Sequence, residues 1–402
     1  MADIIKILIT FILAVLLIRR KMNPGVAMGI GAAGLAILYL LPISSVSKVF
    51  VRTITTYTTI QMIIALGLIM VMENIMRKTE TFKQMMEALK KIVYDIRIVL
   101  AAPPAIVGMV PSIGGAYFSA PLVEEASSAI SITPERKGFI NYWFRHIWEY
   151  ILPTYPGIIL ASAITRFPLE KLILYQMPFA IMVIVTGAIF CFRGITTPYT
   201  LTSAPLQRQS KDLMRLLTSL FPIAAIILLV ALFHIDIALT MLAVILVMFL
   251  YHRYSTKKMV DTLRESISWS VFLIIVGVMF FKDMLRATSA VEGMSLFLTQ
   301  TGFPLIILFF ILPFLVGMLT GLTVAFVGTT FPLLITLSGG TPQIGKMAFA
   351  FASGFTGVMF SPMHLCFVLT GEYFRADKGT IYRYMLIPSG LVMLTALVMW
   401  IV

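Results

Sequence analysis

The stretch Pro104-Ala-Ile-Val-Gly-Met109 returns as Pro313-Phe-Leu-Val-Gly-Met318, 209 residues further along the chain. The same 209 residues separate Pro153 from Pro362. Matches in one order at nearly one offset indicate an internal duplication. Proline and glycine carry most of these matches, so the two copies share the positions at which helices are interrupted. Further matches at an offset of 210 join Pro178 to Pro388, Gly67 to Gly277, and Glu73 to Asp283.

The composition places most of the chain in lipid. Of its 402 residues, 59% are hydrophobic and 12% charged, and the mean hydropathy is +0.97. Soluble domains carry about 25% charged residues, so this composition excludes a soluble enzyme, a nucleic-acid-binding protein and a secreted disulfide scaffold. Cys191 and Cys366 lie inside apolar runs and are predicted to be packing residues. The first apolar run ends at a basic stop and lacks a cleavage site, which predicts a retained span.

The predicted fold is an all-α polytopic membrane protein made of two repeats. Each repeat reads as six apolar elements, of which the fourth is a re-entrant hairpin and the fifth a helix broken at its centre by proline. An amphipathic helix is predicted at 79–91, at the membrane surface. The predicted units are the first repeat at 1–192 (hairpin 99–123, broken helix 139–163), a cytoplasmic linker at 193–215, and the second repeat at 216–402 (hairpin 305–336, broken helix 347–374).

The distribution of basic residues decides between two topologies. The chain has a net charge of +13, with 31 Lys and Arg. If all twelve elements cross, the cytoplasmic loops hold 16 of these residues and the external loops 14. With two re-entrant hairpins, the cytoplasmic loops hold 22 and the external loops 8. Arg145 lies within a span and is left out of both counts. Cytoplasmic loops are enriched in Lys and Arg, so the hairpins are favoured. Five crossings per repeat make the repeats inverted, which is typical of secondary transporters. In the cytoplasmic membrane, this topology places both termini on the extracytoplasmic side.

The four interruptions are predicted to meet at one binding site. Backbone groups freed at mid-membrane depth persist only inside protein or in a watery cavity. Helix N-termini at such breaks favour anions, and unwound carbonyls with hydroxyls favour Na⁺. The alternative is that the kinks bind nothing. The predicted substrate-binding residues are Ser112, Gly114 and Gly115 in the first hairpin, Thr320, Gly321 and Thr323 in the second, and Arg145, Thr154, Tyr155, Ser361 and His364 in the broken helices.

Ionisable residues inside a membrane mark a pathway or a binding site. In one hypothesis Arg145 holds a substrate carboxylate, while His146, Glu149 or His364 carries the coupling ion. In the other, Arg145 and Glu149 form a structural ion pair at a spacing of i, i+4, and His364 is a packing residue. His146 and Glu149 also have a spacing that suits metal ligands, but no third donor stands nearby in the sequence, so no metal is expected.

Three stretches carry a resemblance to a known family: residues 114–125, 144–150 and 361–366. They resemble an uncharacterised family of about 400 residues within the ion transporter superfamily, and the similarity covers nearly the whole chain. More distantly, the chain is similar to the divalent-anion/sodium symporters, which carry Ser-Asn-Thr at their hairpin tips, and to gluconate permeases. The Asn is missing at both tips of this chain. The resemblance implies homodimers and elevator transport.

The sequence therefore predicts a secondary active transporter of a small carboxylate-like anion, coupled to H⁺ or Na⁺, with the bilayer and a second copy of the chain as partners. No cofactor and no nucleic acid are expected. One alternative is a cation/proton antiporter, which would tolerate Arg145 in its site poorly. A second is an intramembrane enzyme that uses His146 and Glu149, although an enzyme has no need for matching interruptions in both halves.

Overall fold

A computed structural model describes residues 2–20, 22–92, 95–111, 115–128, 130–195, 206–288 and 304–401. These residues form nineteen α-helices and one short 3-10 turn, and the described part contains no strand. The helices of the first half are α1 Ala2–Arg19, α2 Pro24–Leu38, α3 Ile43–Thr55, α4 Tyr57–Lys78, α5 Thr81–Ile92, α6 Ile96–Gly108, α7 Gly115–Ala126, α8 Pro134–Arg145, α9 Pro156–Thr165 and α10 Leu169–Cys191.

The helices of the second half follow the same order. They are α11 Leu206–Ala231, α12 Ile237–Tyr251, α13 Thr256–Ser266, α14 Trp269–Ala287, α15 Leu305–Thr320, α16 Thr323–Leu337, α17 Ile344–Met359, α18 Leu365–Phe374 and α19 Lys378–Ile401. Helix α11 begins within the segment predicted as a linker. A counterpart of α5 would fall at 289–303, outside the described residues.

Several of these helices suit a membrane. In the described part, α4, α10, α11 and α19 contain apolar stretches long enough to cross a bilayer, and α13 with α14 adds a fifth span if this pair, bent by 51°, is counted as one. Eight further apolar helices have 10–17 residues. The chain is therefore a helical, multi-pass membrane protein by length and composition.

Two short helices stand where the sequence suggested loops. Helices α3 and α13 each precede the long helix of their half, α4 and α14. Both have one apolar and one polar face, as in Ile43–Thr55 with its serines, Lys48 and Arg52. Such helices suit the membrane surface, and their alternation of polar and apolar residues hid them from a search for apolar runs. The predicted surface helix at 79–91 is present as α5.

The two halves pack reciprocally. Helix α2 packs on α14, and their counterparts α12 and α4 pack on each other. In the same way α9 packs on α16, and α7 on α18. One buried apolar cluster runs through both halves, so neither half has a separate core.

Polar contacts fix the direction of these helices. Asn23, before α2, donates to the Ser270 hydroxyl at the start of α14 (2.7 Å), and further along α2 a Cβ on Gly31 would stand 3.2 Å from Phe281. Helices α2 and α14 therefore run in the same direction. Gln61, near the start of α4, bonds to Asp236 before α12, so the starts of α4 and α12 lie together. Asn74, near the end of α4, donates to Ser266 at the end of α13 (3.1 Å).

Two glycines allow α2 and α14 to touch at their backbones. A Cβ on Gly25 would lie 1.8 Å from the Leu273 carbonyl oxygen, and a Cβ on Gly277 would lie 1.9 Å from the Gly25 carbonyl oxygen. Small residues permit this approach in membrane helices. The glycines at 25 and 277 are thus required by the packing between halves.

The first broken helix differs from its prediction. The sequence placed the break at Pro153, with Arg145, His146 and Glu149 on the helix before it. Helix α8 instead ends at Arg145, and α9 begins only at Pro156. Pro153 and Pro156 lack the amide donors that would bond to carbonyls 149 and 152, and each proline disfavours helical backbone before it. His146 and Glu149 therefore lie in the interruption, and the helical i, i+4 pairing of Arg145 with Glu149 does not apply.

We expect Gly25→Ala to lower the free energy of unfolding by about 1–3 kcal/mol, the usual cost of overpacking. The measurement is the midpoint of thermal unfolding of the purified protein in detergent. Gly29→Ala is the matched control, because nothing lies within 4 Å of a Cβ at that position of the same helix. Equal midpoints for the two variants would contradict the close contact of α2 with α14.

Candidate functional site

The helix interruptions of both halves touch one another. The Tyr155 hydroxyl, in the first broken helix, donates to the carbonyl of Gly108, the last residue of α6. In the second half, His364 Nδ1 lies 2.8 Å from the carbonyl oxygen of Gly321, the C-cap residue that follows α15. The Thr323 hydroxyl at the start of α16 donates to Glu149 Oε2 (2.8 Å) and so joins the second hairpin to the first broken helix.

Side chains from the two broken helices satisfy carbonyls at the ends of four helices. Besides Gly108 and Gly321, the Met359 carbonyl at the end of α17 accepts a hydrogen bond from the Tyr142 hydroxyl (3.1 Å). The Tyr142 carbonyl, in the last turn of α8, lies 2.6 Å from His146 Nδ1. Carbonyls in the last turn of a helix have no partner within it, so these side chains act as caps deep inside the protein.

Five ionisable or polarisable side chains form the centre of the site. His146 Nε2 lies 3.0 Å from His364 Nε2 and 4.0 Å from Glu149 Oε1. Arg145 Nε donates to Cys366 Sγ at 3.4 Å. Arg145, His146, Glu149 and Cys366 are each at most 9% exposed, and His364 is partly buried. We call these five residues the central cluster.

A small cavity adjoins the central cluster. Its volume is about 10 Å³, and it is lined by Trp143, His146, Tyr150, Phe355 and neighbouring residues. A cavity of this size holds at most a single water molecule.

Backbone geometry explains the glycine at the second hairpin tip. Gly321 has φ = +66°, a region that favours glycine. A Cβ there would also lie 2.8 Å from the backbone nitrogen of His364. The tip of the second hairpin is thus shaped to approach the second broken helix closely.

Of the predicted substrate-binding residues, Gly321, Thr323 and His364 are joined through the predicted ion-coupling residues His146 and Glu149. Arg145 and Tyr155 bond instead to Cys366 and to the Gly108 carbonyl. Others serve their own segments: the Thr320 hydroxyl bonds to the Val316 carbonyl and the Ser361 hydroxyl accepts from the Met363 amide. The Thr154 hydroxyl is buried, and among the described residues it has no hydrogen-bond partner. Gly115 is the first residue of α7. Ser112 and Gly114 lie outside the described residues.

Cys366 belongs to the candidate site, but the sequence did not predict it there. It was predicted to be a packing residue, but its Sγ contacts Arg145, and its donor atom lies within 4.8 Å of those of His146 and His364. The expectation of no metal rested on the lack of a third donor, and Cys366 supplies one. The spacing His364-x-Cys366 was the signal available in the sequence.

A second buried network supports the site. Asn141 on α8 accepts from the Ser119 hydroxyl of α7 (2.6 Å) and donates to the Thr370 hydroxyl of α18 (3.0 Å). It also donates to the Ala116 carbonyl (3.1 Å). Asn141 therefore connects the first hairpin with both broken helices, although it shows no pattern in the sequence.

We expect Asn141→Ala to lower the free energy of unfolding by about 1–3 kcal/mol, because it leaves buried polar partners unsatisfied. The measurement is again the midpoint of thermal unfolding in detergent. Thr395→Ala is the control, since its hydroxyl donates only to the Leu391 carbonyl of its own helix. A loss no greater than that of the control would show that the network does not hold these helices together.

Comparison with known proteins bears on the whole chain. A search of curated proteins finds no match. A family model described as "Protein of unknown function (DUF401)" matches residues 3–402, in agreement with the resemblance to a family of about 400 residues. The chain therefore belongs to the DUF401 family.

Proposed function

We propose that this protein is a secondary active transporter of a small, carboxylate-like organic anion, coupled to H⁺ or Na⁺. The observation that carries the proposal is the meeting of helix interruptions from both halves around the buried central cluster. Non-helical backbone at membrane depth is tolerated where it is buried in protein or lines a cavity, and transporters place their substrate there. The resemblance to the ion transporter superfamily points to the same function.

The contacts between halves support inverted repeats. Helix α2 is the second apolar helix of the first half, and α14 is the third of the second half. They nevertheless run in the same direction. Thr53, before α4 begins, donates to Asp283 near the end of α14 (2.8 Å), so α4 and α14 run in opposite directions. These two helices hold equivalent positions in the halves, so their opposition is what inversion requires.

The lengths of the hairpin arms support re-entrant elements. Helix α6 has 13 residues and α7 has 12, which at 1.5 Å per residue is roughly 18–20 Å, short of a hydrocarbon core of about 30 Å. The two helices pack on each other. In the second half, only Gly321 and Leu322 separate α15 from α16, and this tip contacts His364.

Two features at the centre favour an anion. The first is Arg145, although Glu149 in the same cluster offsets part of its charge. Helices α9, α16 and α18 begin at the interruptions, and each lacks a side-chain hydrogen bond at its N-cap. Uncapped N-termini carry positive partial charge and attract anions. Together with Arg145 they argue against a cation/proton antiporter, and we assign Arg145 to the substrate and Glu149 with its two histidine neighbours to ion coupling.

We further propose an elevator motion in a homodimer of the cytoplasmic membrane, with both termini outside. The hairpins and broken helices, joined by the contacts of the central cluster, would move as one unit. The pairs α2–α14 and α4–α12, which pack reciprocally, would form the scaffold. This division follows the contacts of the chain, and the resemblance supplies the mode of motion. No enzymatic activity is part of the proposal.

We expect Arg145→Ala to lower uptake roughly 10- to 100-fold, the loss expected for charge-assisted hydrogen bonds of about 1.5–3 kcal/mol. Ligands come first from a thermal-shift screen of carboxylates and sulfonates, with and without Na⁺ and across pH, which also identifies the coupling ion. Uptake is then measured in proteoliposomes. Arg97→Ala is the control, because Arg97 is exposed and pairs with Asp95 at 3.6 Å.

Arg145→Lys keeps the charge but loses the planar fork that binds a carboxylate through two hydrogen bonds, so it should also transport more slowly. Arg145→Lys takes the place of Arg145→Ala in the uptake measurement if Arg145→Ala does not fold. Uptake by a folded Arg145 variant at the rate of the parent would return Arg145 to a structural role.

We expect cysteine labelling to place the loop 127–133 in the cytoplasm and the loop 338–343 outside. The chain with Cys191→Ala and Cys366→Ala receives a single cysteine at Ser128 or Thr341, both exposed. In intact cells an impermeant maleimide should react with the second variant alone. Reaction of both variants from outside would contradict the inverted repeats.

A further inference from the structure

In both histidines of the central cluster, the backbone fixes a proton on Nδ1. His146 Nδ1 faces the Tyr142 carbonyl oxygen at 2.6 Å, and His364 Nδ1 faces the Gly321 carbonyl oxygen at 2.8 Å. A carbonyl oxygen only accepts hydrogen bonds, so each Nδ1 carries the hydrogen. In two neutral imidazoles, both Nε2 atoms then present lone pairs.

These lone pairs face each other. The two Nε2 atoms are 3.0 Å apart, a distance at which they repel unless a cation stands between them. Histidines that bind metals usually donate their other ring nitrogen to a carbonyl or carboxylate, which fixes the tautomer and aims the free nitrogen. His146 and His364 both have this arrangement.

A thiol completes the set of donors. Cys366 Sγ and the two Nε2 atoms all lie within 4.8 Å of one another. In a tetrahedral zinc site the metal lies about 2.0–2.1 Å from nitrogen and 2.3 Å from sulfur, which places two nitrogen ligands about 3.3 Å apart. The observed 3.0 Å differs from this by a few tenths of an ångström.

We propose that His146, His364 and Cys366 bind a divalent transition metal of Zn²⁺ type. One ligand comes from the first half of the chain and two from the second, so the ion would join the two broken helices. Three protein donors leave a fourth position open, as in zinc sites that also bind water or a substrate group. The proposal concerns binding alone and does not depend on transport. With the metal bound, both Nε2 atoms are occupied, so Glu149 alone of the proposed coupling residues would remain free to carry the coupling ion.

The donor set suits such an ion better than a hard cation. Na⁺ and Ca²⁺ gain little from imidazole or sulfur ligands, whereas a transition metal binds both. A divalent metal deprotonates a coordinating thiol, and the Arg145 Nε, 3.4 Å away, then donates a hydrogen bond to the thiolate. Glu149, 4.0 Å from His146 Nε2, supplies a second negative charge.

The test uses the full-length protein, purified without an affinity tag from cells supplied with Zn²⁺. After desalting, elemental analysis should find one Zn²⁺ per chain, and removal of the metal by a chelator should lower the midpoint of thermal unfolding. Replacement with Co²⁺ should give a thiolate-to-metal charge-transfer band. Cys366→Ser should lose this band, and both Cys366→Ser and His364→Gln should bind Zn²⁺ at least about tenfold more weakly, the loss of roughly 1.4 kcal/mol.

The chain supplies matched controls, because it has 2 cysteines and 4 histidines. Cys191→Ser and His252→Gln lie outside the central cluster and should keep the metal. Size-exclusion chromatography checks that each variant is folded. A parent protein without bound metal would mean that a shared proton alone lies between the two imidazoles. Zn²⁺ bound equally by the parent and by Cys366→Ser would also overturn the proposal.

Discussion

Lipid offers no partner to a backbone carbonyl, and this constraint determines how the helix interruptions are arranged. Each break exposes the carbonyls of the helix that it ends. In this protein Tyr155 caps α6, His146 caps α8 and His364 caps α15. Tyr142 likewise caps α17. Each of these side chains lies in a broken helix, and three of the four contacts join one element to another, so the interruptions are buried together.

The same constraint gives the central cluster its chemistry. His146 and His364 each use Nδ1 to cap a carbonyl, and this contact orients Nε2 toward the middle of the site. Caps made by aliphatic side chains are not possible, since only a polar side chain donates to a carbonyl. Satisfying the backbone with polar side chains therefore brings two imidazoles and two phenols to the centre of this protein.

The sequence predicted the positions of the breaks better than their extent. Pro153 and Pro362 mark broken helices, and Gly321 marks a tip, because missing donors and positive φ leave a direct trace in residue type. The unwinding from His146 to Tyr155 was underestimated, since its length depends on contacts such as that of Glu149 with Thr323. Those contacts join residues more than 170 positions apart, and no local pattern reports them.

Cys366 shows the same limit. An apolar neighbourhood in the sequence indicated a packing residue, and Cys366 is indeed buried. What the neighbourhood could not show is that burial places its sulfur beside Arg145 and within reach of two imidazoles. The surface helices α3 and α13 were missed for a different reason, because their apolar residues are spread along one face and form no continuous run.

The proposed anion and the proposed metal place different demands on the two halves. In an elevator the hairpins and broken helices move as one unit, so the link between His146 and His364 would persist throughout the cycle. A metal at this link would stabilise the moving unit without blocking its path. The contacts that must change instead lie where this unit meets the scaffold, at the packing of α9 against α4 and of α16 against α14. If the proposed motion opens the site, the opening is therefore expected at this packing.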